Sequence, residues 1–166
     1  TELERLGFNS GSRAQAINDV GDAAGSYSTG NPPVTRAALW NSAGTTATVL
    51  SLVTGFNISE ATGINNAGTI IGQMKKLSHS TDLAVRWDTP GVATLLDHLG
   101  LNIPGSTTTI ATAISEAGVV AGTSSKHDTS GNPLGTFAVR WAPLGTSATE
   151  LQNPWTDPNT GQSEAH

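Results

Sequence analysis

One pattern of residues occurs three times in the chain, and this repetition restricts the fold more than any other feature. Residues 14–25 read AQAINDVGDAAG, residues 61–72 read ATGINNAGTIIG, and residues 111–122 read ATAISEAGVVAG. Equivalent positions are separated by 47 and then by 50 residues. Periods of roughly 20 to 50 residues are typical of proteins that stack similar units side by side. The sequence therefore predicts one array of about three repeats.

Each repeat carries the same landmarks in the same order: an isoleucine, two glycines four residues apart and a tryptophan. These structural repeat residues are Ile17, Gly21, Gly25 and Trp40, then Ile64, Gly68, Gly72 and Trp87, and then Ile114, Gly118, Gly122 and Trp141. An Ala-Thr-x-Leu segment follows each tryptophan, at residues 47–50, 93–96 and 148–151.

The landmarks also place the boundaries of the repeats within a single array over residues 1–166. The three repeats are predicted to cover about 12–56, 57–105 and 106–155. We expect residues 1–8 to form the last strand of a preceding repeat, because TEL at 1–3 matches TEL at 149–151. Residues 156–166 are expected to begin a following repeat or to form a tail.

The local sequence of each repeat predicts β-strands. Asn tolerates the left-handed region and Gly supplies a positive φ, so NNAG at 65–68 predicts a tight hairpin turn. The alternation in LAVRW at 83–87 predicts a strand with Trp87 and Arg86 on opposite faces. No segment has a convincing helical period. Each repeat is thus predicted to form a four-stranded antiparallel sheet of an all-β fold.

Four short strands and one tryptophan in each repeat are typical of a β-propeller blade. We therefore predict a β-propeller-like array of about three blades, and an open β-solenoid of sheets is the alternative. Complete propellers have roughly 4 to 8 blades. The array is accordingly expected to be part of a larger or multi-chain propeller.

Over about residues 1–151 the repeats resemble the HAF repeats of bacterial extracellular proteins. That family follows the pattern A-x-x-I-N-x-x-G-x-x-x-G and then a strand of the H-A-F-x-W type. The first two repeats match the first part, and the third has Ser115 in place of Asn. The second part survives as an Ala with the tryptophan, whereas its His is replaced by Arg36, Leu83 and Phe137. The resemblance implies a secreted or surface-exposed bacterial protein, and it brings no catalytic residues.

Charge and composition exclude several classes of partner and site. The net charge is −5 with only 8 Lys and Arg residues, so no basic stripe exists for nucleic acid. No apolar run approaches the roughly 18 residues of a membrane helix, so no membrane insertion is expected. The chain has no cysteine, which excludes disulfides, thiolate nucleophiles and Cys-type metal sites.

Candidate chemistry is sparse. No nucleophile motif is present, so no catalytic residue is assigned and no cofactor is expected. The segment DPNTGQSE offers oxygen ligands for Ca²⁺ at Asp157, Asn159, Ser163 and Glu164, although a plain turn is the ordinary interpretation. His79 and His127 lie near acids in segments interpreted as solvated loops between the second and third strands.

The sequence therefore favours a non-catalytic extracellular module that acts in binding, adhesion or self-assembly through exposed loops and blade edges. Its expected partners are other copies or further repeats of the same protein, or an extracellular glycan or protein. Two alternatives remain at this point. One is the propeller segment of a secreted hydrolase or lyase, and the other is a calcium-stabilised carbohydrate-binding module.

Overall fold

The computed structural model describes residues 11–79 and 81–152, and every regular element among them is a β-strand. The predicted all-β fold is confirmed. The described residues contain no helix long and apolar enough to cross a membrane. The predicted terminal segments 1–8 and 156–166 lie outside the described residues, as do the four candidate calcium ligands.

The strands form three sheets, one for each sequence repeat. The first sheet consists of β1 Ser12–Ile17, β2 Ala23–Thr29, β3 Val34–Trp40 and β4 Ala47–Val49. The second consists of β5 Ile58–Ile64, β6 Ile70–Lys75, β7 Leu83–Thr89 and β8 Val92–Leu95. The third consists of β10 Thr109–Ile114, β11 Val120–His127, β12 Pro133–Trp141 and β13 Ala148–Glu150, together with the short β9 Leu99–Gly100.

Within each sheet, strands that follow one another in the sequence pair antiparallel. The third sheet differs from the prediction because β9 pairs parallel to β11 and makes a fifth strand. Gly100 allows this approach, since its φ is +65° and an added Cβ would crowd the backbone of His127.

The first glycine of each repeat closes the turn between the first two strands. Gly68 has a φ of +80°, which favours glycine, and its N–H donates to the carbonyl oxygen of Asn65 at 3.0 Å. The Asn65 side chain completes the turn because its Oδ1 accepts from the Thr69 N–H at 2.9 Å. Asn18 and Ser115 make the same side-chain contact in the other two turns.

The second glycine of each repeat allows a close approach between the first two strands. An added Cβ at Gly72 would overlap the carbonyl oxygen of Glu60 and lie 2.9 Å from the Cα atom of Ala61. The strand pairing is irregular at this point, between Ala61 and Gly63. Gly25 and Gly122 lie beside the same irregularity in their own sheets. The glycine is thus required by a β-bulge in the facing strand.

The sheets stack on one another in chain order, and the core lies between them. We call the side of each sheet that carries its tryptophan the Trp face; in the second sheet it bears Val85 and Trp87. The opposite side, which bears Ile71 and Ala84 in that sheet, is the Ala face. The Trp face of the second sheet packs on the Ala face of the first, and the third sheet packs on the second in the same way.

Candidate interaction surface

Each contact between neighbouring sheets contains a buried hydroxyl group that accepts a backbone hydrogen bond. The Ser59 Oγ accepts from the Ala37 N–H of the first sheet at 3.0 Å. The Thr109 Oγ1 accepts from the Ala84 N–H of the second sheet at 2.7 Å. Ser59 and Thr109 are equivalent, since each lies two residues before the alanine that opens its repeat motif. The same type of hydrogen bond therefore joins each pair of neighbouring sheets at equivalent positions.

The tryptophans form a second repeated contact. The Trp87 Nε1–H donates to the carbonyl oxygen of Ser51 at 2.8 Å, and the Trp141 Nε1–H donates to that of Asp97 at 2.9 Å. Ser51 and Asp97 each follow the leucine that ends the fourth strand region of the preceding sheet. Each indole thus packs into the joint between sheets while its polar group finds an acceptor there.

A ladder of turn residues forms the third repeated contact. The Asn18 Nδ2–H donates to the carbonyl oxygen of Asn65 at 3.2 Å, and the Asn65 Nδ2–H donates to that of Ser115 at 3.1 Å. The next residue in each turn extends the ladder, because the Asn66 N–H donates to the Glu116 carboxylate at 3.0 Å. The three turns therefore lie at one end of the array in direct contact.

The third sheet does not have a neighbouring sheet on its Ala face among the described residues. Ala37 and Ala84 are fully buried, whereas the equivalent Ala138 is exposed. Leu50 and Leu96 are 1% and 3% exposed, but the equivalent Leu151 is 42% exposed. We call this surface, formed by Ala113, Ala138, Arg140 and Leu151, the open Ala face.

Arg86 indicates what a covered Ala face requires of its polar residues. Its side chain is 3% exposed, and its Nε donates to the Asp88 carboxylate at 2.9 Å. Its Nη1 donates to the carbonyl oxygen of Gly145 in the covering sheet at 2.8 Å. Arg140 is the equivalent residue of the third sheet, and it is exposed. A covering sheet would therefore have to offer Arg140 an acceptor, because a buried guanidinium without one is costly.

The first sheet has a complementary exposed region on the side away from the second sheet. Ile64 is 8% exposed because it packs against the first sheet, whereas the equivalent Ile17 is 69% exposed. Ser12, the equivalent of Ser59, is also exposed, and Val20 is 61% exposed. We call Ser12, Ile17, Asp19 and Val20 the head patch. Trp40 is fully buried and is not part of it.

A cleft lies between the loop after β6 and the loop after β9. Its volume is about 150 Å³, and Lys76, His79 and Asn102 contribute polar groups to its lining. The Lys76 Nζ lies 5.2 Å from the centroid of the Phe56 ring, a cation–π distance. The cleft thus combines an aromatic ring, a cation and amide and hydroxyl groups, which suits an acidic or hydroxyl-rich small ligand.

The structure places the two loop histidines differently. His79 is exposed, as expected for a solvated loop, and its Nδ1 lies 2.8 Å from the Ser78 hydroxyl. The expectation for His127 is wrong, since this residue ends β11 and is 7% exposed. Its Nδ1 is buried with no hydrogen-bond partner. Parallel pairing of β9 along the end of β11 covers this position, and the local sequence gives no sign of that.

Asp128, beside His127, stabilises a turn. Its carboxylate accepts from the Asn132 side chain at 2.9 Å and from the Ser130 N–H at 2.8 Å. These bonds, the Asn132 side chain first, hold the pKa of the Asp128 carboxyl below its ordinary value. Among the described residues no group of three or more His, Cys, Asp or Glu side chains could hold a metal ion.

The three tryptophans occupy one register in their sheets and are fully buried. Trp40 pairs with Ala23 and Ala47, Trp87 pairs with Ile70 and Ala93, and Trp141 pairs with Val120 and Ala148. Sequence reasoning missed Ser59 and Thr109. Their signal is present, since a hydroxyl residue stands two positions before each opening alanine.

Comparisons of the chain with models of protein families, with curated proteins and with solved structures find no match.

Proposed function

We propose that this chain is a non-catalytic, extracellular bacterial repeat module of the HAF type, with its sheets arranged as blades of a propeller-like array. It acts in binding and self-assembly through its exposed loops and its uncovered sheet faces. The open Ala face carries this proposal, because the positions of Ala138 and Leu151 are buried in the first two sheets and exposed in the third.

The chemistry of the open Ala face favours association with a protein surface. Leu151 and Ala138 present apolar area that the equivalent residues remove from water elsewhere in the array. Burial of such area is the main favourable contribution to most protein association. Arg140 at the same face adds a polar group that can select the orientation of the partner. A surface with an apolar centre and a cationic group resembles a specific interface more than an ordinary exposed sheet.

Ion pairs made by the acidic residues support a non-catalytic role. Four of the nine Asp and Glu residues of the described region form ion pairs: Arg13–Glu60, Lys75–Asp82, Arg86–Asp88 and Lys126–Glu150. A carboxylate held by a cation in this way stabilises the scaffold. Enzymes with two catalytic carboxylates instead expose both of them in one cleft.

The experiment is a measurement of molar mass by light scattering over a wide range of chain concentrations. The wild-type chain is expected to associate as concentration rises. Ala138→Arg places a second cation next to Arg140 and is expected to abolish association. Val92→Arg is the matched control, since Val92 is 57% exposed on the second sheet and lies outside the open Ala face. A wild-type chain that stays monomeric throughout would contradict the self-assembly part of the proposal.

Binding of an extracellular glycan is a second candidate function, and the cleft beside Phe56 favours it. Lys76 is exposed beside the cleft and can pair with an acidic sugar, while the half-buried Leu83 and Ile103 give the cleft an apolar lining. Titration with acidic and neutral oligosaccharides, followed by NMR, tests this function. Lys76→Ala should remove the preference for acidic sugars, whereas Lys75→Ala, which breaks the pair with Asp82, should not.

A further inference from the structure

We infer that the cleft between the loops after β6 and β9 binds the terminal acidic sugar of a glycan as a single residue and excludes acidic sugars within a glycan chain. This inference rests on the glycan-binding candidate and names the part of the glycan that is recognised. The charge of the cleft, the contact between its two walls and its size support the inference.

The lining of the cleft is basic although the chain as a whole is acidic. The net charge of the chain is −5, yet the described residues that line the cleft include Lys76 and His79 and no Asp or Glu. Lys76 is exposed and forms no ion pair within the part of the chain that the structure describes. Its neighbour Lys75 differs, because its Nζ pairs with the Asp82 carboxylate at 3.0 Å. Lys76 therefore offers an unpaired charge to the carboxylate of a ligand.

The equivalent lysine of the third sheet does not offer its charge in this way. Lys76 and Lys126 each lie four residues after the second glycine of their repeat. Both lie near an aromatic ring, at 5.2 Å from the centroid of Phe56 and 5.3 Å from that of Phe137. The Lys126 Nζ, however, pairs with the Glu150 carboxylate at 2.7 Å. An acidic ligand is therefore expected at Lys76 and not at Lys126.

The two walls of the cleft meet at His79 and Gly105. An added Cβ at Gly105 would lie 3.1 Å from the His79 Cδ2, so the glycine allows the imidazole to approach the opposite loop. The His79 N–H donates to the carbonyl oxygen of Lys76 at 3.1 Å, which holds the histidine in its own loop. A sugar within a chain needs an exit at both of its ends, and this contact closes one side of the cleft. A terminal sugar needs only one exit.

The wall that follows β9 is preformed by its own hydrogen bonds. The Ile103 N–H donates to the Thr107 Oγ1 at 2.7 Å, and the Thr107 N–H donates to the carbonyl oxygen of Ile103 at 2.9 Å. Asn102 precedes this turn, is exposed and offers amide donors and an acceptor to the hydroxyl groups of a sugar. A preformed wall lowers the cost of ordering the protein when the ligand binds.

The size of the cleft restricts the ligand to one residue. Its volume is about 150 Å³, whereas pockets for drug-sized molecules have about 300 to 1,000 Å³. About five water molecules of roughly 30 Å³ each would fill this space. One sugar ring with its substituents needs a similar space, and the half-buried Leu83 and Ile103 give the ring apolar contacts.

Three ligands that differ in the position of the acid test the inference by NMR titration. They are a free hexuronic acid, a trisaccharide with the hexuronic acid at its non-reducing end, and a trisaccharide with the hexuronic acid between two neutral sugars. The first two should have dissociation constants within about fivefold of each other, and that of the third should be at least about tenfold higher. The methyl ester of the free acid should also bind about tenfold more weakly, because it lacks the charge that pairs with Lys76.

Variants at the contact between the walls make the test more specific. His79→Ala opens the closed side of the cleft, so the internal acid should bind within about threefold of the terminal acid. Gly105→Ala narrows the cleft and should weaken binding of the terminal acid about tenfold. Gly91→Ala, at a glycine with open space, and Lys126→Ala are the matched controls and should leave binding unchanged. Circular dichroism checks that each variant is folded.

The other outcomes separate this inference from the glycan-binding candidate. If the internal acid binds the wild-type chain as tightly as the terminal acid, the cleft is an open groove and the inference is wrong, while glycan binding stands. If only the free acid binds, the ligand is a small free acid and recognition of a glycan end is wrong. If Lys126→Ala weakens binding and Lys76→Ala does not, the site lies elsewhere and the inference is also wrong. If none of the acidic sugars binds, the glycan-binding candidate itself is wrong.

Discussion

Replacement of Gly72 by alanine would place a Cβ atom against the backbone of the neighbouring strand. The added atom would overlap the carbonyl oxygen of Glu60 and lie 2.9 Å from the Cα atom of Ala61. Both neighbours are backbone atoms, so no side-chain rotation relieves the contact. The first two strands of the second sheet would have to separate by about 1 Å, in the way that over-packed cores shift their backbones.

This separation determines the expected magnitude. We expect the separation to break about two hydrogen bonds between β5 and β6, and the loss of each costs about 1 kcal/mol. Over-packing adds about 1 to 3 kcal/mol of strain. We therefore expect Gly72→Ala to lower the free energy of unfolding by about 3 to 5 kcal/mol, a large part of the roughly 5 to 15 kcal/mol of an ordinary domain.

Alanine variants of two other glycines in the second repeat distinguish the effect of this close approach from the effect of backbone strain. Gly68 has a φ of +80° with open space around it, so Gly68→Ala should cost only the about 1 to 2 kcal/mol of a left-handed alanine. Gly91 has open space and no left-handed φ, so Gly91→Ala should leave stability unchanged or raise it by about 0.4 to 1 kcal/mol.

Urea unfolding followed by tryptophan fluorescence measures all three variants. The urea midpoint should be highest for Gly91→Ala, lower for Gly68→Ala and lowest for Gly72→Ala. The slopes of the three transitions should be similar if each variant unfolds to the same extent. A difference of less than about 0.5 kcal/mol between the unfolding free energies of Gly72→Ala and Gly91→Ala would be no larger than a typical surface effect. In that case the bulge does not require glycine.

Two further predictions concern the joints and the loops. Thr109→Val removes the hydroxyl that accepts from the buried Ala84 N–H, so it should lower the unfolding free energy by about 1 to 3 kcal/mol, measured by urea unfolding beside Thr109→Ser. NMR titration should give Asp128 a pKa below its ordinary value, and this pKa should rise in the Asn132→Ala variant. The ionised carboxylate stabilises the turn fully at pH values above the pKa of the unfolded chain, and this stabilisation is lost as the pH falls through the pKa of the folded chain.

The sequence predicted the features that depend on local chemistry. The Asn or Ser residue and the first glycine of each repeat specify a turn locally, because residues such as Asn65 and Gly68 make its hydrogen bonds with their own atoms. Alternation predicted opposite faces for Trp87 and Arg86, and the three sheets were predicted as well. These features can be predicted from the sequence because each depends on a few neighbouring residues.

The features that the sequence did not reveal depend on packing between distant segments. The second glycine is a landmark of each repeat in the sequence, but the local sequence does not show that Gly72 is required by the carbonyl group of Glu60 in the facing strand. His127 was interpreted as a loop residue, and it is buried beside β9. The hydroxyl of Ser59 looks like any strand serine until the neighbouring sheet is in place.

The third turn differs from the other two in a way that bears on assembly. Asn18 and Asn65 use one side-chain atom to close their own turn and the amide N–H₂ to reach the next sheet. Ser115 closes its turn through its hydroxyl, but it has no amide to reach onward. A joint at the third sheet would therefore lack one hydrogen bond that both internal joints possess. Because such a bond contributes about 1 kcal/mol, a partner on the open Ala face should be held less tightly than the sheets within the chain hold one another.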